Sequence, residues 1–365
     1  MRISGKFGRI GMVIGFVLLI AVSPVNACTG ITLKAEDGSV VHARTLEFAV
    51  DLGSNVIVVP RGYTRQGTTP DGKNGIKWVS KYASIGANGS GVPWIFDGFN
   101  EKGLSMGLFY HPTTAKYMPY KKSDAKNTLA VWELGSYILE NFASTREVKE
   151  NLHKLVVPSV VFQQWGFVPP VHFIVIDANG ESIIIEFLDG KMRIFDNPLG
   201  VITNSPSFDW HMTNLRNYPN LGATQPKTRK VGDVELKPFG MGAGMVGLPG
   251  DFTPPSRFVR AVAFCVSRVP TSDGKETVLQ AFHILNNFDI PKGSAREAHK
   301  DEHGNIVADF TTWTSASDLK ARKFYFRTYD NSRIRMVDLN KMDLNAKEIV
   351  TIPMGGKEII QELRP

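Results

Sequence analysis

The chain predicts an α+β fold, a four-layer αββα sandwich of two mainly antiparallel sheets. Three observations lead there. Runs of alternating, β-branched and aromatic residues fill three separate stretches, and two helical groups lie between them. The strand-like runs follow one another through short, turn-forming connections, the usual link between antiparallel neighbours. A composition of 42% hydrophobic and 21% charged residues is that of an ordinary globular chain able to bury a large core. Two sheets, each covered on one face by the other and on the opposite face by helices, satisfy the order strands, helices, strands, helices, strands.

The first residues belong to a different class. Arg2, Lys6 and Arg9 precede an apolar run over 10–22 and a short exit ending in Val25-Asn26-Ala27, which is the layout of a secretory signal. The apolar run falls short of the roughly 20 residues that a spanning helix needs. Residues 1–27 are therefore expected to be removed on export to the periplasm or medium without stable membrane insertion, leaving 28–365 as one domain.

Cleavage after Ala27 would make Cys28 the first residue, with a thiol and a free α-amine on the same Cα. An α-amine titrates near pH 7.7–8.0, so part of it is neutral at physiological pH and can take a proton from a thiol of pKa about 8.5. Nucleophile and base then share one residue. A rival use of the same cysteine is lipidation, since Val-Asn-Ala-Cys loosely resembles a lipobox; a thioether would leave a lipid-anchored, non-catalytic protein that holds an acyl ligand.

Residues 31–35 and 39–45 read as strands joined by a turn at Glu36-Asp37-Gly38. That hairpin returns Arg44 beside Cys28, where a guanidinium favours a thiolate. Residues 55–60, 76–85, 94–97 and 104–110 continue the β pattern. Helical spacing of Leu129, Trp132, Leu134, Tyr137, Ile138 and Phe142 marks 127–155, with a cap at Ser144-Thr145-Arg146-Glu147. Strands follow at 171–176, 182–187, 191–196 and 200–204, helices at 254–269 and 276–288, and strands again at 323–328 and 334–338.

The formal charge is +7, of which the leader supplies three. The lysines at 116, 121, 122 and 126 look like a solvated loop and lack the stacking aromatics of a nucleic-acid site, so nucleic acid is not an expected partner. Cys28 and Cys265 are the only cysteines. Cys265 falls in an apolar helical pattern and reads as core. The eight histidines are scattered, with no zinc-type Cys/His spacing; neither metal nor cofactor is expected.

Cys28-Thr29, Arg44, the run Phe96-Asp97-Gly98-Phe99-Asn100-Glu101-Lys102-Gly103-Leu104, Thr203-Asn204-Ser205-Pro206 and Ser256-Arg257-Phe258 together resemble the choloylglycine hydrolase family. These are N-terminal-nucleophile hydrolases, bile salt hydrolases and penicillin V acylases among them. The resemblance spans the chain from Cys28 to its last strands. It implies that Cys28 is the nucleophile and, through its amine, the base; that Arg44 and Arg257 line the pocket; and that Asn204 contributes to the oxyanion hole. It also implies a small-molecule N-acyl amide substrate and homo-oligomers, often tetramers.

Two departures from the family pattern are visible. Glu47 stands where the family has an aspartate near the nucleophile's amine, in Arg44-Thr45-Leu46-Glu47. Phe109, with Tyr110 next to it, stands where bile salt hydrolases place an asparagine and penicillin V acylases a tyrosine. The missing asparagine tilts the expected substrate from conjugated bile salts toward penicillin V or related N-acyl amides such as acyl-homoserine lactones, with Phe109 and Tyr110 as substrate contacts.

Overall fold

The computed structural model describes residues 27–300 and 304–364, with the His299 side chain left aside. The expected signal segment, Ala27 excepted, lies outside the described residues. The first hairpin forms as its turn chemistry predicts: Gly38 takes φ +81°, and Thr29–Lys34 pairs antiparallel with Val40–Phe48, setting Gly30 opposite Arg44.

Val40–Phe48 pairs on its other edge with the long strand Ile306–Asp318, which continues to Lys323–Thr328 and Asn331–Asp338, while Ala295–Lys300 joins Ile306–Asp318 to complete a six-stranded sheet. The second sheet has eight strands in the order Lys191–Asp196, Ser182–Leu188, Val171–Ile176, Ser105–Tyr110, Asp97–Asn100, Ser84–Ala87, Asn55–Val59 and Val350–Pro353. Its pairings are antiparallel throughout.

Alternation along the strands makes the layers. Ile174 and Ile176 point into one core with Val56 of their own sheet and with Ile31 and Val41 from the facing sheet, whereas Phe173 and Val175 point the other way, onto Leu134 and Ile138 of the helix Val131–Asn141. The helices Pro254–Ser267 and Gly274–Leu285 cover the six-stranded sheet. This is the four-layer αββα sandwich that the sequence predicts. The Ser144 cap also forms, with its hydroxyl accepting from the Glu147 backbone N–H at 3.2 Å.

The run from Phe96 to Leu104 turns out to tie layers together. Ser315 on the six-stranded sheet donates to Asp97 Oδ2 at 2.6 Å across the inter-sheet core. Asn100 donates to the carbonyls of Leu139 and Phe142 and accepts from the N–H groups of Lys102 and Leu104, so both donors and both lone pairs of this buried amide are occupied.

Three expectations fail locally and a central strand is unforeseen; the strand expected at 94–97 forms instead at Asp97–Asn100. The 76–85 run is two strands, Asn74–Val79 and Ser84–Ala87, in different sheets. The 200–204 run is no strand; Ile202 instead makes a single bridge to Gly30, with backbone bonds of 2.8 and 3.0 Å. That bridge brings the 203–206 loop against Cys28. The strand Ile306–Asp318 is absent from the sequence reading because its middle, Thr311 to Ser317, is rich in hydroxyls; it is nonetheless buried, as a central strand whose hydroxyls serve buried acceptors. Among the described residues, no helix is long and apolar enough to cross a membrane.

Candidate active site

Cys28 lies immediately before the first strand and is 4% exposed. Its backbone N–H donates to Asn204 Oδ1 at 2.9 Å. Arg257, in the first turns of the Pro254–Ser267 helix, brings its whole fork to the same place. Nη1 donates to the Cys28 carbonyl and to Thr29 Oγ1 at 2.9 Å, Nη2 donates to Asn204 Oδ1 at 2.6 Å, and Nε donates to the Phe252 carbonyl at 2.9 Å. A planar guanidinium can serve four acceptors at once where an ammonium could not.

Those partners fix the orientation of Asn204. Two donors meet at Oδ1, so the flipped amide would set N–H against N–H. Nδ2 donates one hydrogen to the Tyr110 carbonyl at 2.7 Å and keeps a second for another acceptor, as an oxyanion donor must.

Burial dominates the electrostatics. The Cys28 thiol is held above its ordinary value by desolvation first, against the opposing pull of Arg44 and Arg257. The sequence placed Arg44 where it would favour a thiolate; the guanidinium does act in that direction, but loss of solvent outweighs it. The resting sulfur is therefore a thiol and needs a base at the moment of attack.

Glu47 does not supply that base at neutral pH, since burial pushes its carboxyl up to about 8 despite Arg257 and the Thr311 hydroxyl, which donates to Oε1 at 2.8 Å. Its Oε2 is buried without a partner. Arg257 falls only to about 10, mainly through desolvation, and stays cationic at neutral pH.

Adjacent strand residues face opposite ways, and this separates Phe109 from Tyr110. Phe109 is fully buried and lies under Arg44, whose guanidinium carbon is 4.0 Å from the ring centroid, while Arg44 Nη1 donates to the Leu108 carbonyl. Phe109, expected from the sequence as a substrate contact, supports Arg44 from the core with its ring. Tyr110 faces Phe48, ring to ring at 6.4 Å, and Phe48 stacks on Trp165 at 5.4 Å. These three rings form an apolar wall, tied to Asn204 through the Tyr110 backbone carbonyl.

Several residues of the site had no signal in the sequence reading. Thr311 and Asp309 come from the unrecognised central strand. Asp309 is buried with both carboxylate oxygens unpartnered, and burial raises it to about 7. His111, His172 and Glu186, also buried, have the spacing of metal ligands. The two rings, however, stack at 4.0 Å with an interplanar angle of 6°, and parallel ring planes share no point at which both could direct an in-plane lone pair to one ion.

The site, from Cys28 through Arg44 and Asn204 to Arg257, lies within the span matched by a known family: the profile of the linear amide C–N hydrolases, choloylglycine hydrolase family, matches residues 28–352. The chain belongs to the choloylglycine hydrolase family. It is thereby an amide C–N hydrolase of the fold that the sequence predicted. Among its relatives is the bile salt hydrolase/transferase of Clostridium perfringens, 34% identical over 328 residues that cover 89% of this chain and 96% of that protein. The penicillin V acylase of Pectobacterium atrosepticum is 27% identical over 345 residues, covering 89% of this chain and 82% of that protein. In structure, a mutant conjugated bile acid hydrolase from Clostridium perfringens superposes with a TM-score of 0.79 at 31% identity, over 92% of this chain and all of the other. The choloylglycine hydrolase assignment thus rests on sequence and fold together.

Proposed function

We propose that residues 1–27 are removed on export and that Cys28, then N-terminal, is the nucleophile of an amidase acting on small N-acyl amides. The observation that carries this reading is the convergence of Arg257 and Asn204 on the Cys28 backbone. The α-amine left by cleavage would occupy the nitrogen position that Asn204 Oδ1 already accepts from. With the thiol desolvated and Glu47 protonated near neutrality, an amine of pKa about 7.7–8.0 on the same residue is the group able to take the proton.

The amine removes the thiol proton and sulfur attacks the amide carbon, whose oxygen becomes an oxyanion facing the second N–H of Asn204. Collapse breaks the C–N bond as the α-ammonium returns its proton to the leaving amine. Water, deprotonated by the same amine, then cleaves the thioester and releases the acid. Arg257, Arg44 and Glu47 hold and tune this centre without exchanging atoms.

The Phe48, Tyr110 and Trp165 wall favours an apolar, aromatic acyl group, as in penicillin V, or the chain of an acyl-homoserine lactone. Conjugated bile salts are the second reading, favoured by the higher identity to a bile salt hydrolase/transferase than to a penicillin V acylase. Side-by-side hydrolysis of penicillin V, glycocholate and a long-chain acyl-homoserine lactone tests the order; a kcat/KM highest for glycocholate would overturn the aromatic preference.

A homo-oligomer completes the proposal. The hairpin Arg229–Val231 and Val234–Leu236 and the segment after it expose Val234, Leu236, Phe239 and Met241, apolar side chains that a second copy would cover. Light scattering at the mass of one chain would contradict it.

A further inference from the structure

Beneath the loop that carries Asn204, three histidines from three elements each bring a ring nitrogen to a loop carbonyl. His172, on Val171–Ile176, approaches the Thr203 carbonyl through Nε2 at 3.1 Å. His211, on the helix Phe208–Asn214, approaches the Asn204 carbonyl through Nε2 at 2.8 Å. His111, just past Ser105–Tyr110, lies 3.4 Å from the Pro206 carbonyl. All three are buried, and burial lowers them to about 3 for His111 and His172 and about 4 for His211. They are neutral wherever the enzyme works.

A carbonyl only accepts, so in each neutral ring Nε2 holds the one hydrogen and Nδ1 is bare. The Nδ1 of His172 nevertheless lies 3.0 Å from Glu186 Oε1. A bare ring nitrogen and a carboxylate oxygen are both acceptors, and they close to that distance only with a proton between them. The stacked rings leave no point at which one ion could take an in-plane lone pair from both histidines. An imidazolium at His172 would be a buried cation, disfavoured by desolvation and by Arg44, whereas burial raises Glu186. The groups facing Glu186 are His111 at 3.7 Å, His211, Asp209 and the Phe208 N–H, which reaches both carboxyl oxygens at 3.0 and 3.2 Å.

We propose that Glu186 is a positioning residue that acts as a neutral carboxylic acid, donating its proton to His172 Nδ1 and so locking the tautomer whose Nε2–H holds the loop bearing Asn204. It also anchors the first residue of the helix that presents His211, so one side chain sets two of the three carbonyl clamps. The inference rests on the role proposed for Asn204 above. Deprotonation of Glu186 places two acceptors face to face and frees the loop, so kcat falls on the alkaline side while KM holds.

Glu186→Gln carries an amide N–H that can donate to Nδ1 at every pH and an oxygen for the Phe208 N–H; Glu186→Ala carries neither. The expected results are an alkaline fall in kcat for the native enzyme, near-native kcat at neutral pH without that fall for Glu186→Gln, and a loss of roughly 100-fold for Glu186→Ala, on the scale of a misplaced catalytic group. Nitrogen-15 NMR of histidine-labelled protein, which needs no turnover, should show His172 as the Nε2–H tautomer in both the native chain and Glu186→Gln. A difference infrared spectrum between the two should show one protonated carboxyl lost. An unchanged alkaline limb in Glu186→Gln, a His172 imidazolium, or no carboxyl difference would overturn the proposal. Absence of turnover in the native chain alongside the expected spectra would instead count against the amidase reading.

Discussion

The side-chain oxygen of Asn204 accepts from the Cys28 backbone nitrogen at 2.9 Å while Arg257 Nη2 donates to the same atom at 2.6 Å. One amide thereby places the reactive residue with its oxygen and keeps an N–H for the reacting carbonyl. Asn204→Asp retains an acceptor and loses that donor. It should lower kcat roughly 10²- to 10³-fold, the usual effect of one missing oxyanion donor, with KM changed much less. Steady-state kinetics on the best substrate measures both.

Glu47 makes stability depend on pH. Its carboxyl is raised from 4.5 to about 8 in the folded chain. Between those values the unfolded chain has released a proton that the folded chain keeps, so stability falls as pH rises through that window. Glu47→Gln removes the ionisation. Its Tm relative to the native chain should rise steadily from pH 5 to pH 8.5; a constant difference would mean that the native carboxyl is ionised throughout.

Arg257→Lys keeps the charge and loses the fork. An ammonium has three N–H groups for the four acceptors at Cys28, Thr29, Asn204 and Phe252, so at least one loses its donor, at a cost of roughly 1–3 kcal/mol. Urea unfolding should show a loss of at least that order, about 1–3 kcal/mol, together with a fall in kcat.

Gly30 has no room for a side chain. A Cβ there would lie 2.6 Å from Phe109 Cζ and 2.7 Å from Ile202 Cγ2, pushing on both the support of Arg44 and the bridge that seats the Asn204 loop. Gly30→Ala should cost roughly 1–3 kcal/mol, as overpacking does, and lower kcat as well, read from thermal unfolding and kinetics.

The layers were legible because alternation and helical spacing are local, and the hairpin that sets Gly30 opposite Arg44 was legible from a turn signal. Cys28, Asn204 and Arg257 stood out through their motifs, and they meet in space. What was not legible depends on tertiary burial. Thr311 and Asp309 lie on a strand whose hydroxyl-rich pattern reads as loop until its buried acceptors are known. The histidine clamp joins positions 111, 172 and 211, which share no spacing. The net direction of the Cys28 thiol depends on desolvation, which neighbouring charges in sequence do not report.

The central claim is that an N-terminal Cys28 carries the acyl group. Peptide mapping by mass spectrometry of the exported protein, acid-quenched during turnover, tests it most directly. The account predicts a chain beginning at Cys28, with a free α-amine and the acyl mass on its sulfur. An active protein still bearing residues 1–27, an acyl group on another residue, or a diacylglycerol adduct on Cys28 would contradict it.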